Sequence, residues 1–464
     1  SRSSARIIQI RDVRSCTSPK PVVALGADVT CSLSDGCREC SSRNVGDSIG
    51  DLIGNFVQCI FSAPASMDFG CRMNKTDRDS VIEYATQLKQ LVHDPHSFLT
   101  ELVVQQQQYY CIGWLCHFDV ISFVPLPPKA ISYDQVAIQA KVPLSTLQSV
   151  SRMAMTAGFL CETKDGRLSQ NELSCHFATD AHMRTQLLYM FDETVPIMAA
   201  LKNATQRWGN TSATNETAYN IVHSMDLSFF QYLKTRPDLN ERFHAYMKSR
   251  AVSHTGSNVE HLLGAFDWNN LGEATVVDIG GSSGPTCVML ATAFPSLNFV
   301  IEDLPEPIQN AHARVSDLPE EIKGRINMME YDFFTPQPIK HADVYLLRTI
   351  LHDWPDADAV KILQGVVEAM GPSSRLLIMD MVLPQPGSGS KTFEAALRQK
   401  DLTMIQTFNA KEREVAEWAA LLTKTDPRLK IRAIERPAGS ELSVIEVILE
   451  EMIVDELSWH AFSG

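Results

Sequence analysis

The sequence predicts a mainly α-helical domain that contains a winged-helix unit, followed by a doubly wound α/β domain with a mostly parallel sheet. Three observations support this prediction. The chain has 464 residues, about three times the length of a typical single domain. Residues 131–179 have the pattern of a helix–turn–helix followed by a hairpin. From residue 274 onward, short apolar strands alternate with helical segments.

The composition is that of an acidic globular protein. Hydrophobic residues make up 44% of the chain and charged residues 21%, which excludes a disordered, collagen-like or coiled-coil protein. No run of apolar residues approaches the roughly 20 that are needed to cross a bilayer. The net charge of -14 disfavours binding to nucleic acid or to an anionic membrane. We therefore expect a cytoplasmic protein that binds neither nucleic acids nor membranes.

Residues 1–75 form an N-terminal extension to which the sequence assigns no fold. Its basic, serine-containing start is typical either of a disordered tail or of an organellar transit segment. Six of the eleven cysteines lie in the first 71 residues, and the other five are scattered, as in intracellular proteins with reduced thiols. Cys37 and Cys40 form a C-x-x-C that lacks the second pair of a zinc site, so we expect no metal.

A winged-helix domain is predicted over residues 76–185. Within residues 131–179, a short helix and a turn lead to a second helix capped by Ser145, and a hairpin around a D-G turn follows. A winged helix often binds DNA, but this second helix carries only one basic residue, Arg152. A packing or dimerisation role is therefore favoured over DNA binding.

Residues 186–250 are predicted to form a helical linker that is rich in methionine and aromatic side chains. Most of these side chains are expected in the core. Some could line a pocket for a flat apolar ligand, since methionine and aromatic groups make adaptable apolar walls. The sequence leaves both interpretations open for any individual side chain.

The α/β domain is predicted over residues 251–452, and residues 453–464 form a tail. Five apolar runs are expected to be strands, and two later runs would complete a seven-stranded sheet. The five runs are residues 275–279, 298–301, 325–329, 343–347 and 375–379, and the later two are residues 429–434 and 442–449.

A glycine-rich turn follows the first of these strands. The sequence V-V-D-I-G-G-S-S-G at residues 276–284 runs from an apolar strand through Asp278 into a helix. Glycines let a backbone approach a ligand closely, and a helix N-terminus offers free N–H groups. A glycine-rich turn alone is weak evidence, but this one lies where α/β sheets bind nucleotides.

The second strand leads into E-D-L-P, which places Asp303 where a carboxylate could bind the two hydroxyls of an adenosine ribose. NAD and S-adenosylmethionine both contain this ribose, so the acid does not discriminate between them. The glycines fit the dinucleotide pattern G-x-G-x-x-G only loosely. A simpler interpretation of Asp303 is a cap for the helix that follows Pro305.

The fourth strand leads into L-R-T-I-L-H-D-W-P, which places His352 just beyond its carboxyl end. A single histidine is usually structural. At this rim, however, Asp380 ends the next strand and Glu412 lies further along the chain, which suits a general base oriented by carboxylates.

The sequence resembles the class I S-adenosylmethionine-dependent small-molecule O-methyltransferases of plants and fungi, especially the fungal branch that acts on secondary-metabolite hydroxyls. The resemblance covers about residues 80–450. It rests on the winged-helix unit and on the motifs V-D-I-G-G, E-D-L-P, L-H-D-W and N-A-K-E-R in this order. Ser282 stands where related proteins often have glycine, and the first 70 residues match nothing in the family.

The resemblance implies a fold, a Rossmann-like methyltransferase domain after a winged-helix dimerisation domain, and three sets of site residues. The cofactor would be bound by Asp278, Gly280, Asp303, Leu304, Asp332, Phe333 and Arg348. His352 would be the catalytic base, and Asp380 and Glu412 the acids that hold its ring. Met404 and Asn409 fall where the family binds its substrate.

The resemblance thus predicts a homodimeric enzyme that methylates a hydroxyl, expected to be phenolic, of a small aromatic metabolite such as a polyketide. S-adenosylmethionine would be the cofactor and S-adenosylhomocysteine the product. Two alternatives remain. One is a pericyclase that keeps the fold and cofactor, although its relatives tend to replace the histidine. The other is a non-catalytic regulator that uses the winged helix for binding.

Overall fold

The computed structural model describes residues 75–253 and 255–450, together with the single residue Gly54. The predicted extension, apart from Gly54 and Lys75, and the tail from residue 453 lie outside the described residues. The N-terminal half is helical. Its helices are α1 Lys75–Val92, α2 Pro95–His117, α3 Val120–Phe123, α4 Tyr133–Ala140, α5 Leu144–Thr156, α6 Glu172–Thr179, α7 Ala181–Tyr189, α8 Val195–Trp208, α9 Ala218–His223, α10 Phe229–Thr235 and α11 Pro237–Ser253.

The helix–turn–helix and hairpin that the sequence predicts are both present. Helices α4 and α5 pack together, and strands β1 (Cys161–Glu162) and β2 (Leu168–Ser169) pair antiparallel beside them. The predicted cap at Ser145 is wrong. Pro143 is the N-cap residue, with φ -64° and ψ 132°, so α5 has already begun at the residue before the serine.

A second helical unit connects this winged helix to the α/β domain. A five-residue π-helical turn, Met190–Thr194, continues α7 into α8. The aromatic side chains of α9 and α10 form an apolar cluster that also includes Phe408 from the α/β domain. Of the two interpretations of the aromatic side chains in this region, a core role therefore holds for the buried Tyr219 and Phe229, and both stay open for the partly buried Phe230.

The predicted seven-stranded sheet is confirmed. Its strands are β3 Ala274–Ile279, β4 Leu297–Asp303, β5 Ile326–Glu330, β6 Val344–Arg348, β7 Arg375–Asp380, β10 Leu429–Glu435 and β11 Ser443–Leu449. Their order across the sheet is β10-β11-β7-β6-β3-β4-β5, and only β10 and β11 run antiparallel to their neighbours. The central strands are almost wholly apolar because helices cover both faces of the sheet.

The helices of this domain are α12 Pro285–Ala293, α13 Pro305–Ser316, α14 Glu320–Lys323, α15 Asp356–Val367, α16 Lys391–Phe408 and α17 Val415–Thr425. A short parallel pair, β8 Val382–Leu383 and β9 Arg413–Glu414, lies beyond β7. The chain leaves β3 towards β4 on one side and returns to β6 on the other. The carboxyl ends of β3 and β6 therefore flank a topological switch point, where open α/β sheets bind ligands.

Within residues 75–253 and 255–450, no helix is both long and apolar enough to cross a membrane.

Candidate active site

The turn after β3 has glycine at the positions where a side chain would be strained or crowded. Gly280 has φ +72°, and a Cβ added there would lie 2.5 Å from Ile350 Cδ1. The N–H groups of Gly280 and Gly281 donate to the carbonyl of Glu302, which ties the turn to β4. Gly284 has φ +74° and precedes α12. Each glycine holds a left-handed conformation or a close approach that a side chain would oppose.

Two of the predicted cofactor-binding acids lie beside this turn. Asp278 is 2% exposed, and burial raises its pKa to about 6. Asp303 accepts the N–H groups of Ser282 at 2.8 Å and of Leu304 at 2.7 Å. A carboxylate has about four acceptor positions, so two remain for ligand hydroxyls. Ser282, the departure from the family pattern, is thus held by its backbone, with φ +54°.

Asp332, Phe333 and Arg348 surround the same end of the sheet. Asp332 is exposed and accepts the N–H of Phe334 at 3.0 Å, while the ring of Phe333 contacts Trp354 edge-on at 5.7 Å. Arg348 ends β6 and donates one Nη to the carbonyl of Ser257. Its Nε is buried without a hydrogen-bond partner among the described residues.

These features fit an adenosyl ligand with a methionine moiety. The glycines of the turn leave its backbone open to close approach, Asp303 retains acceptor positions for a ribose, and Arg348 retains a buried donor for an anionic group. The assignment of each cofactor-binding residue, including Leu304, stays a prediction.

His352 and Glu412 are brought together across 60 residues of chain. The Nδ1 atom of His352 lies 2.8 Å from Oε1 of Glu412, whose side chain is 2% exposed. Because a carboxylate only accepts, Nδ1 is the donor, which leaves Nε2 as the acceptor of a neutral ring. Nε2 lies 3.6 Å from Asp353 Oδ1, too far for a hydrogen bond.

Acidic groups on three segments determine the basicity of this imidazole. Burial alone would lower the pKa of His352, but the carboxylates of Glu412, Asp353 and Asp380 outweigh it and raise the pKa to about 10. The imidazole is therefore a stronger base than an isolated histidine.

Asp380 lies in the cluster but contributes differently from Glu412. It ends β7, is fully buried, and neither carboxylate oxygen has a hydrogen-bond partner among the described residues. Burial raises its pKa to about 7. Asp380 thus acts on His352 through its charge in this structure, and its predicted part in holding the ring stays a prediction.

The two predicted substrate residues belong to α16 and its end. Asn409 ends the helix with φ +53°, and its Nδ2 donates to the carbonyls of Ala213 at 2.7 Å and Glu216 at 3.0 Å. Met404 packs against the apolar cluster of α9 and α10. Their roles in substrate binding stay predictions, and Asn409 would act by holding the 213–216 loop.

Sequence reasoning overlooked two residues that the structure places in this cluster. Asp353 faces the free nitrogen of His352, and Arg413 is wholly buried beside Glu412. Both belong to motifs visible in the sequence, L-H-D-W and N-A-K-E-R. Nothing in those letters, however, distinguishes a buried charge from an exposed one.

The chain is similar to known O-methyltransferases. Residues 200–426 match the family described as "O-methyltransferase domain". The O-methyltransferase fsr2 of Gibberella fujikuroi is 75% identical over 379 residues, which cover 82% of this chain and 98% of that protein. The O-methyltransferase VdtC of Byssochlamys spectabilis is 40% identical over 80% of this chain and 86% of its own.

Solved structures share the fold at lower identity. The mitomycin 7-O-methyltransferase MmcR has a TM-score of 0.62 and 23% identity, with 76% of this chain and 98% of that chain covered. A structure described as a pericyclic reaction enzyme has a TM-score of 0.66 and 21% identity, with 87% and 100% covered. Because one fold hosts both, the fold alone does not decide the chemistry. On its 75% identity to one O-methyltransferase and its match to their shared domain, the chain belongs to the family of S-adenosylmethionine-dependent O-methyltransferases.

Proposed function

We propose that this protein transfers the methyl group of S-adenosylmethionine to a phenolic hydroxyl of a small aromatic secondary metabolite, with His352 as the general base. One observation carries the proposal: the His352 Nδ1–Glu412 hydrogen bond of 2.8 Å, which leaves Nε2 free at the switch point beside the glycine turn. The fit of that turn to an adenosyl ligand and the family of the chain support it.

The residues around the turn would hold the cofactor. Gly280 would admit it against the backbone, Asp303 would accept from its ribose hydroxyls, and Arg348 would offer its unpaired Nε. When bound, S-adenosylmethionine supplies an electrophilic methyl group on a sulfonium.

His352 would make the acceptor oxygen nucleophilic. A phenol with a pKa near 10 is mostly protonated at neutral pH and is a weak nucleophile in that form. In the neutral form of the ring, Nε2 would accept the phenolic proton, and general-base help of this kind contributes on the order of 10²–10⁴-fold. The neighbouring carboxylates bring the pKa of the ring to about 10, close to that of the phenol, so the transfer is nearly balanced.

Glu412 would fix the tautomer and stabilise the imidazolium. It is itself held in place, since its N–H donates to Asp401 Oδ1 at 3.0 Å.

The apolar surroundings favour a flat aromatic acceptor. The ring of Phe230 stacks on that of Phe408 at 5.5 Å and lies 6.3 Å from Trp354, two residues after His352. This aromatic wall joins the helical unit to the catalytic loop. A polycyclic phenol would find apolar contact there while its hydroxyl reaches Nε2.

A cofactor-assisted pericyclic reaction is the second candidate, because a pericyclic enzyme shares this fold. An intact histidine–carboxylate pair favours methyl transfer, since a rearrangement that moves no proton gives the pair no task.

The test is mass spectrometry of S-adenosylhomocysteine formed from S-adenosylmethionine in the presence of hydroxynaphthoquinones and hydroxyanthraquinones as probes. We expect product that depends on the acceptor and falls at least about 100-fold in His352→Ala. His312→Ala is the matched control, because His312 is exposed on α13, away from the site. Full activity of His352→Ala would refute the assignment of the base. Acceptor rearrangement without consumption of bound cofactor would favour the pericyclase.

We also propose that the protein is a homodimer formed through its first two helices. Six large apolar side chains near the α1–α2 turn are exposed by 46–76%. They are Leu91, Val92, Phe98, Leu99, Leu102 and Val103. A patch of this kind on a chain otherwise well packed indicates an interface. Sedimentation velocity at micromolar concentration is expected to give twice the 51.6 kDa chain mass, and a species of one chain mass would refute the dimer.

A further inference from the structure

The guanidinium of Arg413 lies in the interior of the α/β domain, with the side chain wholly buried. Burying a charge is costly unless it is paired and hydrogen-bonded. The free-energy cost of burying the charge of Arg413 must therefore be offset by the contacts of its guanidinium.

Apart from a longer hydrogen bond of 3.5 Å from Nη1 to the carbonyl of Lys411, the hydrogen bonds of the guanidinium go to one stretch of chain, residues 351–356. Nη1 donates to the carbonyl of Leu351 at 3.0 Å, and Nη2 donates to the carbonyl of Trp354 at 3.1 Å. Nη2 and Nε also bind Asp356 Oδ1, at 2.8 Å and 3.1 Å. Leu351 and Trp354 stand on either side of the dipeptide His352-Asp353. The guanidinium thus clamps the turn that carries the proposed base.

The other face of the guanidinium and its backbone hold two more segments. The cation lies 5.1 Å from the ring centroid of Trp418 in α17. In the backbone, Arg413 pairs with Val382, two residues after Asp380, and directly follows Glu412. One residue therefore connects the segments that carry the histidine and both of its predicted acidic partners.

We propose that Arg413 is a positioning residue that holds His352 in register with Glu412, so that the Nδ1–Oε1 hydrogen bond forms and Nε2 faces the acceptor. This inference rests on the proposed function of His352 as the base. The bond joins residues 60 positions apart, so its length depends on how the two segments sit, and Arg413 fixes both.

The charged groups around His352 and Arg413 determine which substitution of Arg413 tests the proposal. Facing His352 are the carboxylates of Glu412, Asp353 and Asp380, and facing Arg413 are those of Asp356 and Asp380. Asp401 binds the backbone of Glu412, and Lys411 pairs with Asp356. Replacing arginine by lysine keeps the positive charge but loses the planar fork that reaches two carbonyls at once. Arg413→Lys therefore tests position rather than charge.

Arg325→Lys is the matched control. Arg325 also binds several carbonyls of this domain, those of Ala291, Phe294 and Leu297, but none of them belongs to the catalytic cluster. Both variants lose a guanidinium that binds several carbonyls at once, but only in Arg413→Lys do those carbonyls lie beside His352. Calorimetric measurement of S-adenosylhomocysteine binding checks that each variant is folded.

For Arg413→Lys we expect kcat to fall about 10–100-fold with the best phenolic probe, because small displacements of a catalytic group have effects of this order. The KM for S-adenosylmethionine should change by less than about threefold. The acid limb of the pH–rate profile should move to lower pH, since a weakened bond to Glu412 lowers the basicity of the ring. In Arg325→Lys, neither kcat nor the position of the acid limb of the pH–rate profile should change.

A double-mutant cycle and a spectroscopic measurement complete the test. If Arg413 acts through Glu412, then Arg413→Lys should lose little more activity in a Glu412→Gln background, whereas additive losses would refute the proposal. In protein labelled with ¹³Cε1-histidine, the signal lost in His352→Ala reports the ring, and it should titrate at lower pH in Arg413→Lys. An unshifted titration would overturn the inference even if no probe is methylated. Activity unaffected by His352→Ala would instead overturn the proposed base itself.

Discussion

At the scale of single residues, one hydrogen bond determines what His352 can do. With Nδ1 donating to Glu412, the only ring atom available to accept a proton is Nε2. The three nearby carboxylates then determine how strongly it accepts. The raised pKa also means that the ring must release its resident proton before it can act, so activity should increase with pH beyond the ordinary histidine pKa of about 6.5.

We predict that Glu412→Gln moves the acid limb of the pH–rate profile to lower pH and lowers kcat about 10–100-fold. The amide keeps the size of the side chain but removes a negative charge, so the imidazolium is less stable and the pKa of His352 falls. The loss of kcat follows because the imidazolium formed during proton transfer is no longer stabilised. The measurement is kcat and kcat/KM between pH 5 and 10.

Asp353→Asn is the comparison for this prediction. Asp353 Oδ1 lies 3.6 Å from Nε2 and makes no hydrogen bond to it, so its removal should shift the limb in the same direction with a smaller loss of kcat. An acid limb that stays in place in Glu412→Gln would show that the ring is not the titrating group.

The sequence could predict that His352 and Glu412 lie together, as their hydrogen bond shows, because each stands in a short motif at a recognisable place in the fold, and their catalytic roles stay predictions. The sequence also places Asp380 in this cluster, but it could predict neither that its carboxylate makes no hydrogen bond to a described residue nor that Arg413 is buried. Whether the carboxylate of Asp380 contacts the ring of His352 depends on how segments about 30–60 residues apart pack together. The same packing determines whether Arg413 is buried or exposed. That information is not in the local pattern.

At the scale of elements, the strands were the most predictable part. All seven runs in the α/β domain were placed within two residues of their observed ends, because strands buried on both faces are continuous apolar runs with polar ends. The start of α5 was less predictable. Pro143 and Ser145 are both acceptable near a helix start, and the choice between them depends on the turn that precedes it.

The glycine turn after β3 yields a second prediction. Gly280→Ala should weaken binding of S-adenosylhomocysteine at least about tenfold. A residue with a Cβ is strained by about 1–2 kcal/mol in the left-handed region, the turn can relieve this strain only by leaving its binding conformation, and ~1.4 kcal/mol is a factor of ten. In addition, the new methyl group would lie 2.5 Å from Ile350 Cδ1 and displace it into the site.

Isothermal titration calorimetry measures this effect, and Gly387→Ala is its control. Gly387 has φ +74° but no atom within 4 Å of the added Cβ, so it shares the backbone strain without the crowding. We expect Gly387→Ala to lower the melting temperature slightly and leave binding intact. Equal binding by both variants would contradict the role of the turn.

At the scale of the whole molecule, a glutamate joins the first helix to the catalytic domain. Glu83 in α1 accepts the N–H groups of Lys391 at 3.2 Å and Thr392 at 3.0 Å, together with the hydroxyl of Ser390 at 2.7 Å. These donors form the N-terminus of α16, the helix that ends at Asn409 beside the site. A carboxylate at a helix N-terminus also complements the helix dipole.

We predict that Glu83→Gln loosens α1 from the catalytic domain. Burial acts to raise the pKa of Glu83, but hydrogen bonds from Gln87, Ser390 and Thr392 prevail and lower it to about 2. The carboxylate therefore stabilises the fold at pH values above its unfolded pKa of 4.5, and this contribution is lost as the pH falls towards 2.

Hydrogen exchange followed by mass spectrometry should show faster exchange of α1 in Glu83→Gln at pH 7, and a smaller difference from the parent protein at pH 3. Glu172→Gln is the control, since Glu172 is an exposed residue in the first turn of α6. Identical hydrogen exchange of α1 in the parent protein and in Glu83→Gln would show that the Glu83 contact does not hold α1 on the catalytic domain.

The switch point between β3 and β6 also separates two sets of proposed site residues. The glycine turn, Asp303 and Asp332 lie at the carboxyl ends of β3, β4 and β5 on one side of it, whereas Arg348, His352 and Asp380 lie at those of β6 and β7 on the other. Substitution of the proposed base would therefore leave most of the proposed cofactor-binding residues unchanged. A protein of this fold that lost the histidine could keep its cofactor site without acid–base chemistry, and the fold itself is shared with a structure described as a pericyclic reaction enzyme.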